Sequence, residues 1–202
     1  MTIIDSNKIR RRITMSSYKK RNKPLREDQT RYKQGYFHIP KEYIHKYIGD
    51  PSQIIYRSSY EYKFLLYCCY NPNILKFGSE VLSVKYLNPV TNLEYNKKNN
   101  LNNADPRNWK LANYWIDFWI LVKKRDGTEA RVLIEIKPHC DTLPPKPTPL
   151  DARMKQRKAF IRQSKIYLEN KAKWEAATQY AKDNGMEFLV VTERTMKDMG
   201  IM

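Results

Sequence analysis

The chain has 202 residues, enough for one domain with a sizeable core and an appended arm. Its 38 lysines and arginines against 21 acids give a net charge of +17, which argues for a polyanionic partner, most simply nucleic acid. No apolar run approaches the roughly 18 residues that a membrane helix needs, and the first ten residues lack a signal peptide's apolar stretch, so neither membrane nor export is expected.

Residues 1–35 are basic and polar, with Arg10-Arg11-Arg12 and Lys19-Lys20-Arg21, and read as a flexible arm adding sequence-independent attraction to phosphates. The main domain is expected over 36–202. Ser58 or Ser59 caps a helix whose first turn holds Glu61, and Phe64, Leu65, Cys68 and Cys69 give it a core-facing stripe. Asn71-Pro72 ends that helix, and Val81–Leu87 reads as a strand. Residues 88–110, rich in Asn and Lys and interrupted by Pro89 and Pro106, read as a long polar insertion. Three cysteines, two of them neighbours, make no disulfide framework, and His139-Cys140 lacks a second pair at zinc spacing.

Two strongly apolar segments follow, Tyr114–Val122 and Val132–Pro138, and each carries buried-type charge: Asp117 in the first, Glu135 and Lys137 in the second. A carboxylate inside such a strand is costly unless it meets a cation or a metal. The turn between them sets the register. A three-residue loop, Arg125-Asp126-Gly127, with Gly127 in the left-handed region, pairs Lys124 with Thr128 and carries Asp117 opposite Glu135. A two-residue loop would send the acids to opposite faces. Glu135 and Lys137 share a face in either register.

Pro144–Pro149 is a stiff extended linker. Asp151 then caps a basic helix with Met154, Ile161 and Leu168 on one side, and a second helix, with Trp174, Ala177 and Ala181 inward, stops at Asn184-Gly185. Glu187–Thr192 is a strand, and a short helical tail closes the chain. The order helix, three strands, helices, strand predicts an α/β fold, bordering on α+β, with a mixed central sheet flanked by helices.

Hydrolysis of a phosphodiester needs charge neutralisation and an activated water, and a divalent ion supplies both. Mg²⁺ keeps several waters, so Asp117, Glu135 and the Ile136 carbonyl form an adequate ligand set. Lys137 then orients or deprotonates the water and offsets transition-state charge. The bare pattern also fits a strand-edge acid paired with Lys137.

Helix-borne Glu61, strand-borne Asp117 and Glu135-x-Lys137 together resemble the PD-(D/E)xK nuclease superfamily. More closely, the chain resembles the head completion nucleases of T-even-like bacteriophages. The stretches that carry this are Tyr56–Glu61, Asn71-Pro72 leading to Gly78-Ser79-Glu80, Ile116–Trp119, Ile134–Pro138, Leu143–Pro145, Lys173–Ala177 and Phe188–Glu193. Ile116 stands where the superfamily's name has proline. The resemblance implies a restriction-endonuclease-like core and an Mg²⁺- or Mn²⁺-dependent endo- and exonuclease. It also implies double-stranded packaged DNA as substrate, head and portal proteins as partners, and a virion or host-cytoplasm location. It assigns catalysis to Asp117, Glu135 and Lys137, with Glu61 as the helical acid completing the metal site. Glu80 is a further ligand or the partner of a nearby arginine. Gln163-x-x-x-Tyr167 is similar to a helical motif of the superfamily's exonuclease branch, although Tyr167 also suits a core. Arg57, Arg153 and Arg157 are candidate DNA contacts, and Arg57 equally suits a strand cap. The rival reading is a basic, non-catalytic DNA-binding head–tail connector on a nuclease-like fold.

Overall fold

The computed structural model describes residues 34–149 and 151–202. The basic arm lies outside these residues except for Gln34 and Gly35.

The strands β6 (Phe118–Lys123) and β7 (Glu129–Ile136) form an antiparallel hairpin in the three-residue register. Lys124 N–H donates to the Thr128 carbonyl at 2.7 Å, and Gly127 takes a φ of +84°, which glycine adopts without strain. The Asp126 carboxylate accepts from the Thr128 N–H and hydroxyl at 2.9 and 2.6 Å, fixing the turn. The pairing runs Lys123 with Glu129 up to Phe118 with Ile134, so continuing it by one step sets Asp117 opposite Glu135.

Two more strands complete a four-stranded sheet in the order β3-β6-β7-β8, with β3 at Ile74–Ser79 and β8 at Glu187–Val191. The β3–β6 and β6–β7 pairs are antiparallel and β7–β8 is parallel, giving the expected mixed sheet. One face meets α1 (Ser59–Tyr70), whose Phe64, Leu65, Cys68 and Cys69 pack with Phe118, Ile120, Val132, Ile134 and Met196. The other face meets α3 (Met154–Asp183), which supplies Ala177 and Ala181 against Trp119 and Leu133. The last helix is α4 (Glu193–Asp198). The remaining pair, β1 (Gly35–Tyr36) with β2 (Ile55–Tyr56), lies near the start of the described chain.

Several features differ from the sequence reading. The segment Tyr114–Val122 is not one strand: β5 (Leu111–Trp115) pairs with β4 (Ser83–Leu87) in a separate ribbon, and β6 begins only at Phe118. Both strands of the ribbon turn together into the main sheet. Ile116 N–H donates to the Leu82 carbonyl and Glu80 N–H to the Asp117 carbonyl, each at 3.0 Å, so pairing continues through the bend. Glu80 makes the corner with a φ of +50°, uncommon for a residue bearing a side chain. The strand β3, absent from the sequence reading, brings the chain to that corner.

The first half of the polar insertion is a helix, α2 (Pro89–Lys98). Pro89 opens rather than breaks it, because the first helical N–H needs no partner, and the Asn88 side chain accepts from Val90 and Thr91 N–H. Buried Asn92 clasps the Lys110 backbone, donating to its carbonyl at 3.0 Å and accepting from its N–H at 2.8 Å. The two C-terminal helices are a single helix, α3. Asp151 lies outside it; the helix starts beyond Arg153, whose N–H donates to Gln156 Oε1 at 2.9 Å. Finally, Met154, Ile161 and Leu168 are exposed (66, 54 and 49%) instead of facing a core.

The helix α1 is anchored at its far end by a buried cation. Lys46 Nζ donates to the carbonyls of Cys68, Cys69 and Asn71 at 3.3, 2.8 and 2.8 Å, meeting the orphan acceptors at the negative end of the helix dipole. Lys46→Met is expected to lower stability by about 2–3 kcal/mol in urea unfolding, as loss of charge-assisted bonds to buried carbonyls predicts. An unchanged midpoint would contradict this anchoring.

Candidate active site

The acids and the lysine gather at the end of β7 where the chain leaves the sheet. Asp117 sits at the bend between β5 and β6, and its Oδ2 accepts from the Ile136 N–H at 2.8 Å. The backbone of β7 thus aims one carboxylate at the neighbourhood of the other. Glu135 is 3% exposed. Its Oε1 meets Lys137 Nζ at 2.7 Å, so the two same-face residues of β7 form an ion pair. Its Oε2 accepts from the Tyr114 hydroxyl at 2.6 Å.

Glu61 belongs to the same electrostatic cluster from the N-terminus of α1. Ser58 is the cap, accepting from Glu61 N–H at 3.1 Å, while Glu61 Oε1 accepts from the Ser58 hydroxyl at 3.0 Å and Oε2 from Arg57 N–H at 2.7 Å. Glu80, at the strained corner, pairs with Arg57 Nε at 3.3 Å, so of its two sequence readings the arginine pairing is present.

Charge is crowded here. Burial pushes the Asp117 carboxyl well up, and Glu135 and Glu61 add to this against the opposing pull of Lys137. Burial likewise raises Glu61, opposed by its bonds from Arg57 and Ser58. Burial alone would lower the Lys137 ammonium, but Asp117 and Glu135 outweigh it and hold it charged. Burial, and then the charge of Glu135, hold the Tyr114 hydroxyl up and protonated, so Tyr114 serves as a donor. Among the described residues, no three His, Cys, Asp or Glu side chains stand close enough in this arrangement to hold a metal ion.

The remaining candidates are more distant or exposed. Gln163 is exposed and Tyr167 half-buried on α3. Arg153 and Arg157 are exposed near the start of α3, in a run with Lys155, Lys158, Arg162 and Lys165. Tyr114 is the site residue that sequence reading missed. Simple continuation of the hairpin register would carry it past Glu135, and only the bend at Ile116-Asp117 swings it back.

A family model described as TnsA-like endonuclease N terminal matches residues 71–193, the span from the end of α1 through β8. A head completion nuclease of Enterobacteria phage T4 is 32% identical over 163 residues, covering 80% of this chain and 93% of the relative. The acids at positions 117 and 135 and Lys137 fall inside the matched domain, and no helix among the described residues is long and apolar enough to cross a membrane. A mixed sheet between helices, an acidic cluster at the end of its central strands and an alignment spanning most of both chains agree: the chain belongs to the head completion nuclease family, built on a TnsA-like endonuclease domain of the PD-(D/E)xK type.

Proposed function

We propose that this chain is a divalent-metal-dependent deoxyribonuclease that cleaves packaged double-stranded DNA during phage head completion and head–tail joining. Its kinship with the phage T4 head completion nuclease supports the setting, a virion or the host cytoplasm, with head and portal proteins as partners. The observation that carries the chemistry is buried Glu135, paired with Lys137 and sharing a charged cluster with Asp117.

The donor set fits Mg²⁺ or Mn²⁺. Two crowded carboxylates of hard oxygen suit an ion that keeps several waters, and such an ion would relieve the mutual repulsion that raises Asp117. Asp117, Glu135 and the Ile136 carbonyl would hold it. Both Glu61 oxygens already accept hydrogen bonds, so Glu61 would reach it through water or by releasing one of them. The ion would polarise the phosphoryl oxygen and acidify a bound water. Lys137, paired with Glu135, would orient the attacking water or take its proton and offset the developing negative charge. The basic start of α3, with Arg153 and Arg157, supplies sequence-independent attraction to phosphates, and Arg57 lies at the rim beside Glu61.

Purified protein is expected to nick and then degrade plasmid DNA with Mg²⁺ or Mn²⁺ and to stop when EDTA is added. Salt-sensitive DNA binding with no cleavage under either metal would overturn this reading in favour of the connector.

A further inference from the structure

We propose that Tyr114 is a positioning residue for the metal-binding carboxylate of Glu135, and that it couples the active site to the β4–β5 ribbon and α3. The inference rests on the metal-dependent reading above.

The two strand acids are oriented by different means. Asp117 is held by a main-chain donor, the Ile136 N–H, which only proline at that position would remove. Glu135 is held by a phenol on a different sheet, 2.6 Å from its Oε2. With Oε1 on Lys137 and Oε2 on Tyr114, the carboxylate is pinned at both oxygens while each keeps a second lone pair for another partner. A ligand already fixed in rotamer loses less freedom when an ion binds, the general advantage of preorganised donors.

The phenol is itself fixed. Tyr114 is 4% exposed. Its ring meets that of Tyr86 edge-on at 6.2 Å, and Lys173 Nζ from α3 lies 5.8 Å from the Tyr114 ring centre and 5.7 Å from that of Tyr86. Lys173 in turn pairs with Glu169 at 2.5 Å. The Tyr86 hydroxyl lies 3.4 Å from Glu169 and accepts from Asn88, the residue that caps α2, at 3.2 Å. A continuous set of contacts therefore runs from the start of α2 and the middle of α3 through one hydroxyl to Glu135. Buried polar residues on the far side of the ribbon acquire a role: they hold the ring that holds the ligand.

Tyr114→Phe keeps the ring and removes only the donor. In full-length protein, calorimetric Mn²⁺ affinity is expected to fall about 10- to 100-fold, the usual effect of losing a residue that orients a ligand. The half-saturating metal concentration for plasmid cleavage should rise by a similar factor, with the rate recovering as metal is raised. A residue that merely packs would change the thermal midpoint or the active fraction and leave the metal midpoint alone. Because the midpoint is independent of how much protein is folded, partial misfolding does not obscure it. Unchanged Mn²⁺ affinity in Tyr114→Phe, beside a wild type whose binding Asp117→Asn abolishes, would overturn this inference alone. A wild type that binds no Mn²⁺ would remove the metal-dependent reading and this inference with it.

Discussion

Asp117→Asn is expected to abolish plasmid cleavage, by at least about 10³-fold, while making the protein more resistant to heat. The amide oxygen still accepts the Ile136 N–H, so the bend between β5 and β6 survives. What disappears is a negative charge that burial, Glu135 and Glu61 all disfavour. In the apo protein that charge opposes folding, so its removal stabilises. The folded-state pKa of Asp117 lies above the ordinary value; wild-type apo protein should therefore lose stability as pH rises through it, and Asp117→Asn should show a flatter profile. Added Mn²⁺ raises the melting temperature of the wild type and not of the variant, since only a state that binds the ion gains from it. Cleavage by Asp117→Asn at the wild-type rate would remove Asp117 from the site.

Lys137→Met is expected to damage both activity and stability, and the contrast with Asp117→Asn is informative. Lys137 is the cation that the neighbouring acids share, at 2.7 Å from Glu135 and with 28% of its side chain exposed. Removing it leaves Glu135, almost wholly buried, beside Asp117 without its ion-pair partner. The loss should be about 3 kcal/mol at neutral pH, the low end for breaking a buried pair because Lys137 keeps some solvent. Cleavage should fall by at least about 10²-fold, because the donor to the developing charge is gone. A stable, inactive Lys137→Met protein would mean that another cation balances the cluster. A stable, active one would dismiss Lys137 from both roles.

How far the sequence could be read depended on whether local rules decided each element. The hairpin was legible because glycine at 127 selects the turn and the turn selects the register, which places Asp117 opposite Glu135. The pairing of Glu135 with Lys137 followed from strand alternation alone. Ser58 and Glu61 were legible because a cap and a first-turn acid are a local pattern. The bend at Ile116-Asp117 was not, because Tyr114–Val122 is uniformly apolar and its change of sheet is dictated by β3 and β4 across from it. The helix α2 was hidden by its asparagines, which are poor helix formers in isolation and are retained here by contacts with Lys110 and Tyr86. On α3, the stripe Met154, Ile161 and Leu168 reported periodicity correctly but could not reveal that this side of the helix is exposed.

The bend that carries Asp117 also governs when the enzyme can first act. Its carboxylate is set by Ile136 at the open end of the β6–β7 hairpin, and its carbonyl by Glu80, which lies outside that hairpin. Closing the second contact costs more loop entropy than closing the hairpin, so the full arrangement is expected to follow the hairpin. A partly folded chain would have the acids but not their arrangement. Hydrolytic capacity should therefore appear abruptly, with the last cooperative step of folding, and a newly made chain would remain harmless to DNA until then.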